Sequence, residues 1–160
     1  DVVDAMYEDI ARAALTSTRW RFATNQQVLN RLAAAPTSRF DAAYQMPSDL
    51  LMLSAVTVND DPIVYDTYGD KIYCDTSTNE VVVADYIYRA TEATWPSYFT
   101  LAVEFQVAAM LSISIARDAS LGSMMDQQAE RQMIKARRLD SQQQTTRKLM
   151  TSRFIAQRRS

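Results

Sequence analysis

Between Trp20 and Arg89 the chain is cut into short strand-like runs by closely spaced turn signals. Connections this short admit antiparallel pairing and leave no room for the crossovers that parallel strands need. Leu51 to Val58 is apolar and β-branched and stops at Asn59-Asp60-Asp61-Pro62. Ile63-Val64-Tyr65 and Lys71-Ile72-Tyr73-Cys74 flank a turn at Gly69, and Thr76-Ser77-Thr78-Asn79 makes another. Glu80 to Arg89 (EVVVADYIYR) is the best strand, with three consecutive valines and alternating Tyr86 and Tyr88. Arg19 to Ala23 also alternates, with Trp20 and Phe22 on one side. Phe40 to Tyr44 is strand-like, and Gln27 to Leu32 suits a strand or a helical turn. The expectation is an antiparallel meander over residues 19–90.

Helical patterns flank this region. Val2, Val3, Met6, Tyr7, Ile10 and Ala14 keep the i, i+3, i+4 rhythm, predicting a helix over 1–17. After Trp95-Pro96, Ser97 is the expected N-cap of a helix over 97–119. That helix is apolar on nearly every side, which requires burial of most of its surface. Ser120 to Ser123 reads as a loop. Ser123 and Asp126 then form a capping-box pattern for a helix over 123–141, with Met125, Ala129, Met133 and Ala136 on one face. Antiparallel helices joined by a short loop pack in this way. The fold class is therefore α+β: an antiparallel helical bundle with an inserted β meander in one domain over 1–141, and an extended basic tail over 142–160. The tail carries too few apolar side chains to offset its own ordering entropy, so it calls for a partner.

The net charge of −2 conceals a split. Residues 1–110 hold 7 Lys and Arg against 15 Asp and Glu, whereas residues 111–160 hold 10 against 4. No acid follows Asp140. A dipolar chain suits assembly in which unlike faces meet.

Many catalytic arrangements are excluded by composition. The chain has no histidine, one cysteine and two glycines, Gly69 and Gly122. That removes Ser-His-Asp and Cys-His pairs, imidazole metal ligands, cysteine zinc sites, an intrachain disulfide, and glycine-rich phosphate loops. Carboxylates crowd the turns at Asp60, Asp61, Asp66, Asp70 and Asp75, but solvated turn acids lack the burial that raises a catalytic pKa. Asp66 to Asp70 lacks the spacing and closing glutamate of a calcium loop. Lys71, Lys135 and Lys148 have no serine three residues before them. Cys74 reads as a small core hydrophobe. No catalytic residue, cofactor or metal is expected. Aromatic side chains beside Arg19, Arg21 and Arg89 could stack on bases, but an acidic body opposes phosphate binding.

No charged-then-apolar leader opens the sequence. The most apolar stretch, Leu101 to Ile115, is interrupted by Glu104, Gln106, Ser112 and Ser114 and is too short to span a bilayer. These features predict a soluble protein from a reducing compartment. Methionine is rarely removed before a residue as large as Asp1, so the chain reads as a segment of a longer one.

The order of landmarks resembles a known family. A helix leads into Arg19-Trp20-Arg21-Phe22. Tyr44-Gln45-Met46-Pro47-Ser48-Asp49-Leu50-Leu51-Met52-Leu53 follows and is similar to a Y-x-L-P-x-D-x-L-x-L element. Then come a hairpin around Tyr73-Cys74-Asp75, the run Val83 to Arg89, the Trp95-Pro96 boundary, an apolar helix with Phe99 and Ala102, and a charged helix with Arg131, Ala136 and Arg137. Over residues 1–140 this resembles the tail tubular protein A family, the head-to-tail adaptors of short-tailed bacteriophages. The resemblance implies a structural virion protein, made in the host cytoplasm, that forms a twelve-fold ring between portal protein and tail nozzle. Genomic DNA would pass through its channel without specific binding, no membrane is involved, and no catalysis is required. A further helix before residue 1 would fit the family.

The resemblance assigns portal docking to the tail, on Arg147, Lys148, Leu149, Arg153, Phe154, Ile155, Arg158 and Arg159. It assigns nozzle contact to Asp66, Tyr68, Asp70, Asp75 and Asn79. Two rival expectations remain. One is a tail-associated glycan hydrolase using paired carboxylates. The other is a binding module whose basic tail engages nucleic acid.

Overall fold

The computed structural model describes residues 1–34, 36 and 39–143. These residues form three α-helices and two antiparallel sheets, an α+β arrangement. Helix α1 (Val2–Thr16) begins at Asp1, whose carboxylate accepts from the Val3 amide at 3.3 Å. Asp4 in the first turn adds negative charge at the favoured end. Ala11, Ala14 and Leu15 form its buried face.

The alternating Arg19 to Ala23 segment is not a strand. Arg21–Ala23 forms one 3₁₀ turn. Trp20 is fully buried, and its indole N–H donates at 2.8 Å to the Ala14 carbonyl in the last turn of α1, which also accepts from the Ser17 amide and hydroxyl. Packing on α1 has overridden the local alternation.

Strands β1 (Thr24–Val28), β3 (Leu50–Val58), β4 (Asp61–Pro62) and β7 (Val82–Tyr88) make the first sheet in the order β1-β7-β3-β4. Strands β2 (Ala42–Gln45), β5 (Tyr65–Tyr68) and β6 (Lys71–Cys74) make the second, in the order β2-β6-β5. Every pairing is antiparallel, but the sequential order of a meander is not followed. β7 inserts between β1 and β3, with Gln27 opposite Ala84 on one side and Val56 opposite Ala84 on the other. Its valines and aromatics suit a strand buried on both faces. The β5–β6 turn is closed by Gly69 at φ 60°, a conformation glycine adopts without strain.

Two cores result. Val56, Val82, Ala84 and Tyr86 from the first sheet meet Tyr44, Ile72 and Cys74 from the second. Under the helices, Leu15, Trp20, Phe99, Val103, Met133 and Ala136 cluster with Ile87. The two-residue period of β7 therefore serves both cores, Tyr86 turned to one and Ile87 to the other.

Helix α2 (Ser97–Ser114) has Pro96 at its N-cap, so Ser97 is its first helical residue and does not cap it. Helix α3 (Ala119–Gln142) starts four residues before the expected capping box. Asp118 caps it, its carboxylate accepting from the Leu121 amide at 3.0 Å. The reversal between the helices is taken by Arg117 at φ 51°. The two helices run antiparallel: Gly122 lies against Ile113 near one end, and Asp140 meets Tyr98 at the other. A Cβ at position 122 would overlap the Ile113 side chain, so the expected loop glycine is a close-approach residue inside α3.

Candidate assembly surface

The helical layer is held at three points. The first is Asp140, buried at the end of α3. Its carboxylate accepts from the Tyr98 hydroxyl at 2.8 Å and from the Arg21 amide at 3.1 Å. One side chain thus ties α3, α2 and the segment after α1. Burial, followed by the Asp140 hydrogen bond, holds the Tyr98 hydroxyl above its ordinary pKa.

The second is an aromatic group centred on Phe99. Its ring lies 5.1 Å from Trp20, 4.8 Å from Phe22 and 4.9 Å from Trp95, the Trp20 and Trp95 contacts being edge-on. Edge-to-face pairs set aromatic quadrupoles in attraction and fix ring orientation.

The third is an ion cluster between α1 and the end of β7. The Arg89 guanidinium forks onto both oxygens of Glu8, at 3.0 and 2.9 Å, and reaches Glu92 at 2.6 Å. Arg12 reaches Glu8 at 2.8 Å, and the Tyr7 hydroxyl donates to Glu92 at 3.1 Å. Arg89 also lies over the Trp95 ring, 5.5 Å from its centroid. Arg89 first, and then Arg12, pull the Glu8 carboxyl from 4.5 down to about 2.

A folded pKa below the unfolded one means stability that is complete above pH 4.5 and drains as pH falls toward about 2. Acid titration of Glu8→Gln should therefore show a shallower loss of stability across that window than the parent chain. Parallel acid limbs in the two proteins would show that the cluster contributes nothing.

These anchors leave part of α2 open. Five of its 18 residues are buried, eight are half-buried, and five, Ser97, Leu101, Glu104, Ile113 and Ser114, are exposed. By length and composition α2 also meets the requirement for crossing a bilayer, which the interruptions at Glu104 and Gln106 argued against. Beside it runs a groove of about 400 Å³ between Tyr7 of α1, Trp95 and the side of α2 bearing Val103, Glu104, Val107 and Leu111. Its floor is apolar and its carboxylates sit at the rim. Such a groove suits side chains that combine apolar stems with cationic heads.

The residues named from sequence fall in different places. Asp66, Tyr68 and Asp70 lie on the β5–β6 hairpin, and all are exposed. Tyr68 packs edge-on against Tyr73 at 5.3 Å. Gln45 donates to the Asp70 carboxylate at 3.0 Å and lowers its pKa. Asp75 and Asn79 are exposed beyond the other end of β6, so the five do not form one patch; a four-residue strand spans about 13 Å. Arg147, Lys148, Leu149, Arg153, Phe154, Ile155, Arg158 and Arg159 lie outside the described residues.

Cys74 is in the core between the sheets, where burial pushes its thiol up. Trp20, Tyr44 and Tyr86 are core side chains too, so they offer no ring faces for stacking. Among the described residues, no three His, Cys, Asp or Glu side chains gather as a metal site.

Sequence reasoning missed Asp140 and the Arg89 cluster. Asp140 had a signal: it continues the Met133, Ala136 face of α3 at i+7 and i+4, where an acid must find a donor. Arg89 and Glu8 are 81 positions apart and carried none. No protein-family model matches the chain, and no curated protein matches it significantly.

Proposed function

We propose that this chain is a subunit of a head-to-tail adaptor in a short-tailed phage. Copies form a dodecameric ring joining the portal to the tail nozzle and lining part of the DNA ejection channel. The observation that carries this reading is the apolar groove between α1 and α2, where Val107 and Leu111 stay half-buried in the single chain and a partner could complete their cover. The order of sequence landmarks from the Arg19 segment to α3 supports it. The charge split does so too, since an acidic body lets DNA pass without binding it.

In this reading the helices form the bundle turned toward the portal, and the sheets face the nozzle and neighbouring copies. The tail over 142–160 extends onto the portal, with Leu149, Phe154 and Ile155 as apolar anchors among its cations. The protein resides in the virion, at the portal vertex.

Deleting residues 145–160 should leave a folded chain that no longer co-sediments with purified portal. Unchanged portal affinity of the truncated chain would remove the tail from the docking role. Charge reversal at Asp66 and Asp70 should weaken nozzle attachment while sparing portal binding.

A further inference from the structure

The α1–α2 groove has a complementary surface on the same molecule. Along the outer face of α3, Arg131, Lys135 and Arg138 are all exposed. Between and beside them stand Met124 and Ile134, 57% and 63% exposed. None of the three cations enters an ion pair among the described residues, and neither does Glu104 at the groove rim. Glu8 and Glu92, the other carboxylates nearby, are already held by Arg89. Glu104 is therefore the groove's uncommitted charge.

We infer that the outer face of α3 of one copy seats in the α1–α2 groove of the next copy. The contact rests on the adaptor reading for its closure into a ring, and it names the surfaces by which neighbours meet. Charge favours it, because the cations of the stripe meet Glu104, the rim carboxylate that enters no ion pair among the described residues. Apolar content favours it, because Met124 and Ile134 would cover Val107 and Leu111, which the single chain leaves half-buried.

Lengths agree as well. At 1.5 Å per residue, Met124 to Arg138 spans about 21 Å and Thr100 to Leu111 about 17 Å. Orientation is the decisive point. α3 packs on the side of α2 carrying Tyr98, Ala109 and Ile113. At about 100° per residue, Val103, Val107 and Leu111 point nearly half a revolution away from that side. Arg131 and Arg138 likewise point about half a revolution away from the buried Ala129, Met133 and Ala136. Groove and stripe thus lie on opposite faces of the α2–α3 layer. A contact between opposite faces of identical subunits is heterologous and repeats from copy to copy, which rings require and two-fold dimers do not.

A charge exchange tests the contact. Glu104→Arg and Arg131→Glu are exposed changes, and far-ultraviolet circular dichroism should report folds unchanged from the parent. Self-association is then followed by sedimentation, with the full chain alone and on purified portal. Each single variant should weaken it by about tenfold or more, because like charges then face each other. The double variant, and an equal mixture of the two singles, should recover to within about threefold of the parent.

Three results would overturn the contact. If the singles build rings on the portal as the parent does, neighbours meet elsewhere, and the adaptor reading survives. If Glu104→Arg weakens assembly but Arg131→Glu does not, the groove holds another occupant, such as a portal segment. If the parent never self-associates, with or without portal, the contact and the adaptor reading fall together.

Discussion

Phe99→Ala should cost the chain about 3–5 kcal/mol of folding stability, the range for truncating a fully buried aromatic. The ring is the shared neighbour of Trp20, Phe22 and Trp95, which come from the segment after α1 and the segment before α2. Removing it leaves a cavity under three large rigid rings that cannot collapse inward without breaking their own contacts. The Trp20 indole is further pinned by its bond to Ala14, and the Trp95 indole by its 3.0 Å bond to the Ala90 carbonyl. Urea unfolding should show a lower midpoint with little change in slope. Phe99→Leu, which refills much of the volume, should lose less than half as much. A loss below about 1 kcal/mol for the alanine variant would mean that the aromatic group is not the centre of the helical core.

Asp140→Ala should be the next most damaging change, at about 2–3 kcal/mol. It strands two donors, the Tyr98 hydroxyl and the Arg21 amide, and it uncouples the end of α3 from both neighbours. Asp140→Asn keeps the shape but offers one acceptor oxygen for two donors, so it should fall between parent and alanine. Tyr98→Phe in each background completes a double-mutant cycle. A coupling energy near zero between positions 98 and 140 would contradict the tie.

These two anchors also explain what could be read from residues alone. The strongest strand, Val82 to Tyr88, was visible because three valines and alternating tyrosines leave little else for the segment to do. Helix α1 was visible from its apolar rhythm. Antiparallel pairing followed from short turns, but strand order did not. The place of β7 between β1 and β3 depends on which strand can be buried on both faces, a property of the assembled sheet.

Trp20 and Phe22 misled because alternation over five residues is weak beside the packing of an indole against Phe99 and α1. The start of α3 misled for a different reason. Ser123 and Asp126 fit a capping box, yet Asp118 caps first, once Arg117 has turned the chain. The apolar character of α2 was legible in full. Which of its residues the fold would leave exposed was not, because burial depends on packing neighbours that no sequence window contains.

The mass of the complex formed with purified portal tests the central claim most directly. Native mass spectrometry of that complex should show twelve copies of this chain on each portal ring, and imaging along the axis should show twelve-fold symmetry. A chain that stays monomeric beside intact portal, or that binds without closing a ring, would contradict the account.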